Sequence, residues 1–322
     1  MEYILAIFSI IFLNLLRINF MVAQGNTLSV VTDYCDVVGG KIWYIIYGAE
    51  KSGTPLVCIH GGPGATHDYL LTINELDGDR PVVFYDQLGC GRSDKPDNDS
   101  LWTVERYTKE LGTLIKHLGY TEVFLLGHSW GTILATELYF TKSVKVRGMI
   151  LSGACISPDL FVKGARSYLS ALPDNYRKVI SNCEKIKDFN NASYTEAMNY
   201  YYNLHLCRTT PWHPLLLESL NNINSKIYTY MWGPSEFTAT GTLLNHNRIN
   251  DLQKISVPVL YTSGEYDEAT PEITKMLSDL TPDSKIVVFK DASHNHHLEK
   301  TEEYNYIVKS FIEKTETDKD TR

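Results

Sequence analysis

The stretch Gly127-His128-Ser129-Trp130-Gly131 determines how this chain is expected to fold. It stands between an apolar run at residues 123–126 and a helix-like segment at 132–140. A sharp strand-to-helix turn lifts a serine clear of its neighbours, toward a base that can take its proton. The flanking glycines let the turn close where a Cβ would collide with the adjoining strand and helix. A loop without chemistry is the alternative, but the flanking strand and helix favour Ser129 as a nucleophile.

Strand-like and helix-like segments alternate along most of the chain. We expect an antiparallel hairpin around Gly39-Gly40, and the β-rich runs are 33–38, 41–47, 55–59, 81–85, 122–126, 146–151, 257–262 and 285–289. Amphipathic helical stretches lie at 104–118, 132–140, 272–280 and 299–316. Four of the runs are almost continuously apolar, as in buried parallel strands. The pattern predicts an α/β fold with a doubly wound, mostly parallel sheet, whose ligands collect at the carboxyl ends of the strands.

The alternation stops between about residues 155 and 252, where the chain is rich in Tyr, Asn and Leu and has a helical pattern. An insertion of this length is too large for a loop and must bury an apolar face of its own. We therefore expect an inserted helical cap domain at 155–252, between two parts of the core at 26–154 and 253–322. A second domain unrelated to catalysis is the alternative.

Composition and charge limit the class of partner. The chain has 322 residues, 43% hydrophobic and 21% charged, which is typical of a folded globular protein with one large core or two domains. Its formal net charge is −8 without a basic cluster. Nucleic-acid binding needs concentrated Lys and Arg, so a nucleic-acid partner is not expected.

The first 25 residues differ from the rest. Residues 4–16 are almost wholly apolar, too few for a comfortable membrane span, and are followed by Ala23-Gln24-Gly25. This pattern predicts a cleaved signal peptide at 1–25, hence a secreted or secretory-pathway protein without stable membrane association after cleavage. An uncleaved anchor, or a cytoplasmic protein whose translation starts at Met21, remains open.

Six cysteines are present, but their placement does not form an evident disulfide framework. We expect at most one or two disulfides, with Cys155, Cys183 and Cys207 as the favoured partners. The cysteines show no Cys-x-x-Cys metal spacing, and neither a metal nor an organic cofactor is expected.

A serine nucleophile needs a histidine base, which follows the acid in chain order in folds with this turn. His294 comes soon after the run 285–289 and is the expected base. His296 and His297 begin the last helical stretch, which favours solvated or capping roles. His128 is expected to be a packing residue, since neighbours at a nucleophile turn point apart.

The acid that orients the base is expected at the carboxyl end of the run 257–262. Asp267 occupies this place. Glu265, closer to the turn, and Asp291, too near His294 in sequence, are weaker candidates.

A glycine-rich turn, His60-Gly61-Gly62-Pro63-Gly64, follows the run 55–59 directly. Such a turn lets backbone N–H groups approach an oxyanion. We expect the N–H groups of Gly62 and Trp130 to form the oxyanion hole, with His60 supporting the loop. A phosphate loop is excluded because no Gly-Lys-Ser/Thr follows the glycines, whereas a purely structural turn stays open.

Three motifs together resemble the proline iminopeptidase family of α/β-hydrolases: HGGPG at 60–64, DQLGCGRS at 86–93 and GHSWG at 127–131. The resemblance covers nearly everything after the first 25 residues. Two further stretches, WGPSEF at 232–237 and GEYDEATP at 264–271, are similar to the branch that includes the tricorn-interacting aminopeptidases.

The resemblance implies an α/β-hydrolase fold and a role for each matching residue. Ser129, Asp267 and His294 match the catalytic triad, and Glu236 and Glu268 match two carboxylates that bind the amino terminus of the substrate. The chain departs from the family at residues 295–297, which read Asn-His-His where apolar residues are usual.

The sequence therefore predicts a serine aminopeptidase that releases an N-terminal proline or small apolar residue from short peptides or aminoacyl-amides by acyl-enzyme hydrolysis. An amino-acid amidase or a carboxylesterase with the same triad is the alternative. Glu236 and Glu268 distinguish the aminopeptidase from the esterase, because the substrate of an esterase has no cationic amine to bind. A non-catalytic binding protein would be expected to have lost Ser129 or His294.

Overall fold

The computed structural model describes residues 30–320, so the predicted signal peptide at 1–25 lies outside the described residues. One eight-stranded sheet forms the centre, in the order β1-β2-β4-β3-β5-β6-β7-β8. Its strands are β1 (Val31–Val37), β2 (Gly40–Tyr47), β3 (Leu56–Ile59), β4 (Val82–Tyr85), β5 (Glu122–His128), β6 (Lys145–Ser152), β7 (Val259–Gly264) and β8 (Ser284–Phe289). All eight predicted strands are confirmed.

Strand pairing is antiparallel at one edge and parallel elsewhere. β2 pairs antiparallel with both β1 and β4, and the pairs from β4 through β8 are parallel. β3 and β4 are buried along their whole length, as expected for central strands covered on both faces. Ile59 pairs with Gly127, and His128 with Ser152, so the carboxyl ends of β3, β5 and β6 meet at one edge of the sheet.

Helices cover both faces of this sheet. The α-helices are α1 (Val104–His117), α2 (Trp130–Thr141), α3 (Pro158–Ser167), α4 (Asp174–Ile186), α5 (Ala192–His205), α6 (Pro214–Asn221), α7 (Ser225–Met231), α8 (Pro271–Asp279), α9 (His296–Glu299) and α10 (Thr301–Asp320). One apolar cluster contains Leu111 of α1 and Leu134 of α2, and a second contains Leu70 of a 3-10 helix (Asp68–Leu76) and Val308 of α10. The chain thus has the predicted doubly wound α/β architecture.

The four predicted core helices are present, with one difference. The helix predicted at 299–316 is α10, which begins at Thr301, whereas Glu299 ends the separate short helix α9. Within residues 30–320, no helix is both long and apolar enough to cross a bilayer.

Residues 153–258, here called the inserted segment, connect β6 to β7. They contain α3 to α7, and apart from an isolated bridge between Ser235 and Thr238 they form no strand. Several hydrogen bonds fasten the segment to the core; among them, the Asn224 N–H donates to Gly64 O (2.8 Å), and the His294 N–H donates to His205 O (3.0 Å). The inserted segment is therefore attached at the carboxyl edge of the sheet.

The described residues 30–320 form no disulfide, including none of the one or two that the sequence allowed. Cys155, Cys183 and Cys207 are buried free thiols, as are the other three cysteines. Cys155 and Cys183 belong to one apolar cluster, whereas Cys207 belongs to the other. They pack as small apolar side chains in separate surroundings.

Candidate active site

Ser129 lies at the junction of β5 and α2 in a backbone conformation that non-glycine residues rarely adopt, with φ 53° and ψ −123°. The neighbouring glycines are sterically required. A Cβ at Gly131 would stand 2.1 Å from the carbonyl oxygen of Ile59, and one at Gly127 would stand 2.4 Å from that of Gly131. The Ser129 N–H donates to the carbonyl of Ser152 (2.9 Å), which fixes the turn against β6.

His294 and Asp267 form the predicted pair. Nδ1–H of His294 donates to Oδ1 of Asp267 at 2.7 Å, and the N–H of Ala269 donates to the same oxygen at 2.8 Å. Burial lowers the pKa of His294, but the charge and hydrogen bond of Asp267 outweigh it and hold the pKa above its ordinary value. The weaker candidates contact each other instead, since the Asp291 N–H donates to Glu265 Oε2 (2.9 Å).

Ser129 and His294 line the same cavity, which has a volume of about 260 Å³. With Nδ1 of His294 held by Asp267, Nε2 is the nitrogen left to take a proton. The Ser129 hydroxyl has no hydrogen-bond partner among residues 30–320. Hydrogen bonds between a nucleophile and its base often form fully only when substrate is bound.

Gly62 and Trp130 provide backbone donors at the same place. Gly62 lines the cavity with φ 109°, a conformation that favours glycine. Trp130 is the first residue of α2, where N–H groups have no acceptor within the helix. The Gly61 N–H is occupied, since it donates to the hydroxyl of Tyr69 at 2.7 Å. Gly62 is therefore the free donor of the glycine pair.

His60 supports this loop as predicted. Its Nε2 accepts from the Gln87 N–H (3.1 Å), so its Nδ1–H donates to the carbonyl of Gly61 (2.9 Å). Gln87 also accepts a hydrogen bond from the indole of Trp130 (2.9 Å). The oxyanion loop and the start of α2 thus share one polar support.

Two carboxylates lie near the candidate base: Glu268 lies beside His294, and Glu236 lines the cavity. Glu268 follows Asp267, is fully buried, and has no hydrogen-bond partner for either oxygen; its Oε1 lies 3.9 Å from Nε2 of His294. Glu236, from the inserted segment, lines the cavity and accepts a hydrogen bond from Tyr228 Oη at 2.6 Å. Burial, then the charges of Glu236 and Asp267, raise the pKa of Glu268 well above its ordinary value. Burial likewise raises the pKa of Glu236, against the Tyr228 hydrogen bond.

Two ordinary roles do not account for these carboxylates: Glu268 does not cap a helix, and Glu236 is not fully exposed to solvent. The N-terminus of α8 is capped by Thr270, whose hydroxyl accepts from the Ile273 N–H (3.3 Å), so Glu268 is not the cap. Glu236 is half-buried rather than fully solvated.

Two histidines differ from the sequence-based expectation, and a third has contacts beyond packing. His296 and His297 are fully buried, not solvated, because α9 packs inward; Nε2 of His296 lies 2.9 Å from the hydroxyl of Ser152. His128 packs against the ring of His294, as expected of a packing residue, but both of its ring nitrogens also have hydrogen-bond partners.

The sequence analysis did not identify Tyr69 or the apolar wall of the cavity. Tyr69 lies on a 3-10 helix directly after the glycine-rich turn, and this proximity was the only available signal. Most of the wall comes from the inserted segment, whose cavity-lining apolar residues include Met198, Leu206, Leu216, Leu220 and Ile223.

Comparisons with known proteins identify the family of the chain. The family model described as alpha/beta hydrolase fold matches residues 54–301. A proline iminopeptidase of Heyndrickxia coagulans is 38% identical over 281 residues, which are 87% of this chain and 97% of that protein.

Two crystal structures are similar over almost their whole length. VinJ superposes with a TM-score of 0.84 and 32% identity, covering 88% of this chain and 99% of that one. The proline iminopeptidase of Mycobacterium smegmatis superposes with a TM-score of 0.82 and 29% identity, covering 89% and 99%.

Proposed function

This chain belongs to the proline iminopeptidase family of α/β-hydrolases, and from that premise we propose that it is a serine aminopeptidase that releases an N-terminal proline or small apolar residue from short peptides or aminoacyl-amides. The observation that carries the proposal is the unpartnered, fully buried carboxylate of Glu268 beside the His294–Asp267 pair. The similarity of residues 232–237 and 264–271 to the tricorn-interacting aminopeptidases supports placing the chain in that branch.

The chemistry begins with the hydroxyl of Ser129, which attacks the first carbonyl carbon while Nε2 of His294 takes its proton. The N–H groups of Gly62 and Trp130 bind the oxyanion of the tetrahedral intermediate. The C–N bond then breaks, and His294 returns the proton to the leaving amine. Water hydrolyses the acyl-enzyme by the same steps, with Asp267 stabilising the imidazolium each time.

Recognition of the substrate amine rests on Glu236 and Glu268. Carboxylates close together in a buried place raise each other's pKa, and a cation between them relieves the repulsion. The α-amino group of a peptide has a pKa of about 8 and is mostly protonated at neutral pH. Binding it supplies the hydrogen-bond donors that Glu268 lacks.

The inserted segment limits which substrates enter. It contributes Glu236 and most of the apolar wall, and it is bonded to both the oxyanion loop and the base loop. We propose that residues 155–252 act as a cap domain. A cavity of about 260 Å³ under this cap suits a small apolar residue at the amino terminus of a short chain.

The test compares proline arylamide with its N-acetyl derivative. Acetylation removes the positive charge and leaves the scissile bond unchanged. We expect the free-amine substrate to be hydrolysed at least tenfold faster, measured as kcat/KM. Equal rates on the two substrates would contradict amine recognition and favour a carboxylesterase.

A further inference from the structure

A continuous chain of hydrogen bonds joins the three loops of the candidate active site. The Gly61 N–H donates to the hydroxyl of Tyr69 at 2.7 Å, and that hydroxyl lies 2.8 Å from Nδ1 of His128. Nε2 of His128 in turn lies 3.0 Å from the carbonyl oxygen of His294. The oxyanion loop, the nucleophile turn and the base loop are thus connected through two side chains.

The direction of each bond follows from the atoms at the two ends. A carbonyl oxygen only accepts, so Nε2 of His128 carries a proton and donates to His294 O. The Tyr69 hydroxyl accepts from Gly61 and has one proton to give, which goes to Nδ1 of His128. A neutral His128 satisfies every member, and burial, followed by the neighbouring His294 and His297, keeps its pKa well below the ordinary value.

The surroundings leave these groups little freedom. Tyr69 is 4% exposed and His128 2%. A Cβ at Gly61 would stand 3.0 Å from both Ser129 Cβ and the Tyr69 oxygen. The network therefore sets how far the Gly62 donor and the His294 ring stand from the nucleophile.

We propose that Tyr69 and His128 are positioning residues that hold the oxyanion loop and the His294 loop in register with Ser129 for the reaction. Neither transfers a proton to the substrate. The inference rests on the serine chemistry of the proposed function, and not on recognition of an amine.

The main experiment compares Tyr69→Phe with Tyr85→Phe. Both remove a buried hydroxyl, but that of Tyr85 has no hydrogen-bond partner. Small misplacements of catalytic groups lower rates by up to about 100-fold, so we expect Tyr69→Phe to reduce kcat by about 10- to 100-fold with KM changed less than about twofold. Tyr85→Phe should leave both parameters within about twofold of wild type.

Two substitutions at His128 separate the links. His128→Gln retains a donor near the position of Nε2, and His128→Asn retains an acceptor near that of Nδ1. In a double-mutant cycle, Tyr69→Phe should have its full effect in His128→Asn but add little to His128→Gln, which has already lost the Tyr69 link. A prolyl boronate, which mimics the tetrahedral state, should lose affinity in parallel with kcat, whereas proline amide should not.

Measuring every variant on p-nitrophenyl acetate as well keeps the two proposals apart. If the wild-type protein hydrolyses the ester but not proline arylamide, the aminopeptidase proposal is refuted. The kcat values of the variants on the ester then still test the network. The network is refuted if folded Tyr69→Phe matches Tyr85→Phe in kcat, or if only KM rises. If Tyr69→Phe does not fold, the two His128 variants decide: a kcat at least about tenfold below wild type in either variant, with KM changed less than about twofold, supports the network. A smaller loss of kcat in both variants contradicts it.

Discussion

Two sets of polar groups in the candidate site, here called the paired side around the nucleophile turn and the unpaired side formed by Glu236 and Glu268, differ in how their hydrogen bonds are satisfied. On the side of the nucleophile turn, the ring nitrogens of His128, the Tyr69 hydroxyl and Nδ1 of His294 all have partners between 2.7 and 3.0 Å away. On the unpaired side, Glu268 has no hydrogen-bond partner for either oxygen among the described residues, and Glu236 has the single bond from Tyr228.

The difference separates two tasks of one site. Donors and acceptors that are already paired hold a fixed geometry, which is what stabilisation of a transition state requires. Buried polar groups are rarely left without partners in folded proteins, so an unpaired carboxylate indicates a place for a ligand. Under the proposed function, the paired side is organised before substrate arrives, and the unpaired side is completed by the substrate amine.

The largest expected effect comes from removing the nucleophile on the paired side. Ser129→Ala should lower kcat by at least about 10³-fold, because the triad acts as a unit. Steady-state kinetics with circular dichroism as a control for folding would measure this. Retention of more than a tenth of wild-type activity would show that Ser129 is not the nucleophile.

A smaller effect is expected on the unpaired side. Glu236→Gln and Glu268→Gln should each lower kcat/KM for proline arylamide by at least tenfold, about 1.4 kcal/mol, since each removes a charge from the ammonium site. Hydrolysis of an uncharged aryl ester should stay within about threefold of wild type. Glu265→Gln is the matched control, because this exposed carboxylate lies at the same strand end and bonds Asp291. An equal loss in the control would remove the distinction between the carboxylates.

The pH dependence of the kinetic constants should also distinguish the two sides. Glu268 has a raised pKa, so at low pH it is protonated and cannot attract an ammonium. KM for proline arylamide should therefore fall as pH rises through that raised pKa, and rise again above about pH 8, where the substrate amine loses its proton. The ester should show only the increase of kcat with pH that follows deprotonation of His294, whose pKa is also raised. A KM for the amine that does not vary with pH would argue against this assignment.

The smallest effect concerns stability. A carboxyl whose pKa is higher in the folded state than its unfolded value of about 4.3 binds protons more tightly when folded. The protonated carboxyl therefore contributes fully to the free energy of unfolding below its pKa in the unfolded state. This contribution is lost as pH rises through its pKa in the folded state. The neutral side chain in Glu268→Gln loses no stability in this way. Its Tm relative to wild type should therefore increase with pH from about 4.3 upward, by about 2–4 °C for each kcal/mol of unfolding free energy that the wild type loses. Thermal unfolding of both proteins across this range is the measurement; a constant difference would contradict it.

Much of the site was predictable because each motif is tied to the end of a strand. Asp267 and His294 follow strands whose apolar patterns are clear, and the structure brings the two side chains together. Glu236 depended on the family resemblance alone, since nothing in its local pattern indicates that the inserted segment reaches the cavity.

What the sequence did not reveal depends on packing between distant elements. The inward-facing α9 buries His296 beneath β6, and no periodicity in four residues predicts this. The partnership of Tyr69 with His128 joins residues 59 positions apart. The number and spacing of the cysteines could not exclude disulfides, because the fold determines which sulfur atoms lie close together.

The positive φ at Ser129 places the stability of this turn in conflict with the presence of a hydroxyl group there. Glycine would relax the turn, since non-glycine residues in such regions cost roughly 1–3 kcal/mol. A lineage selected only for stability would drift toward glycine at this position and lose the hydroxyl in the process. With serine at this position, the chain gives up part of its folding stability and has the hydroxyl that the proposed reaction requires.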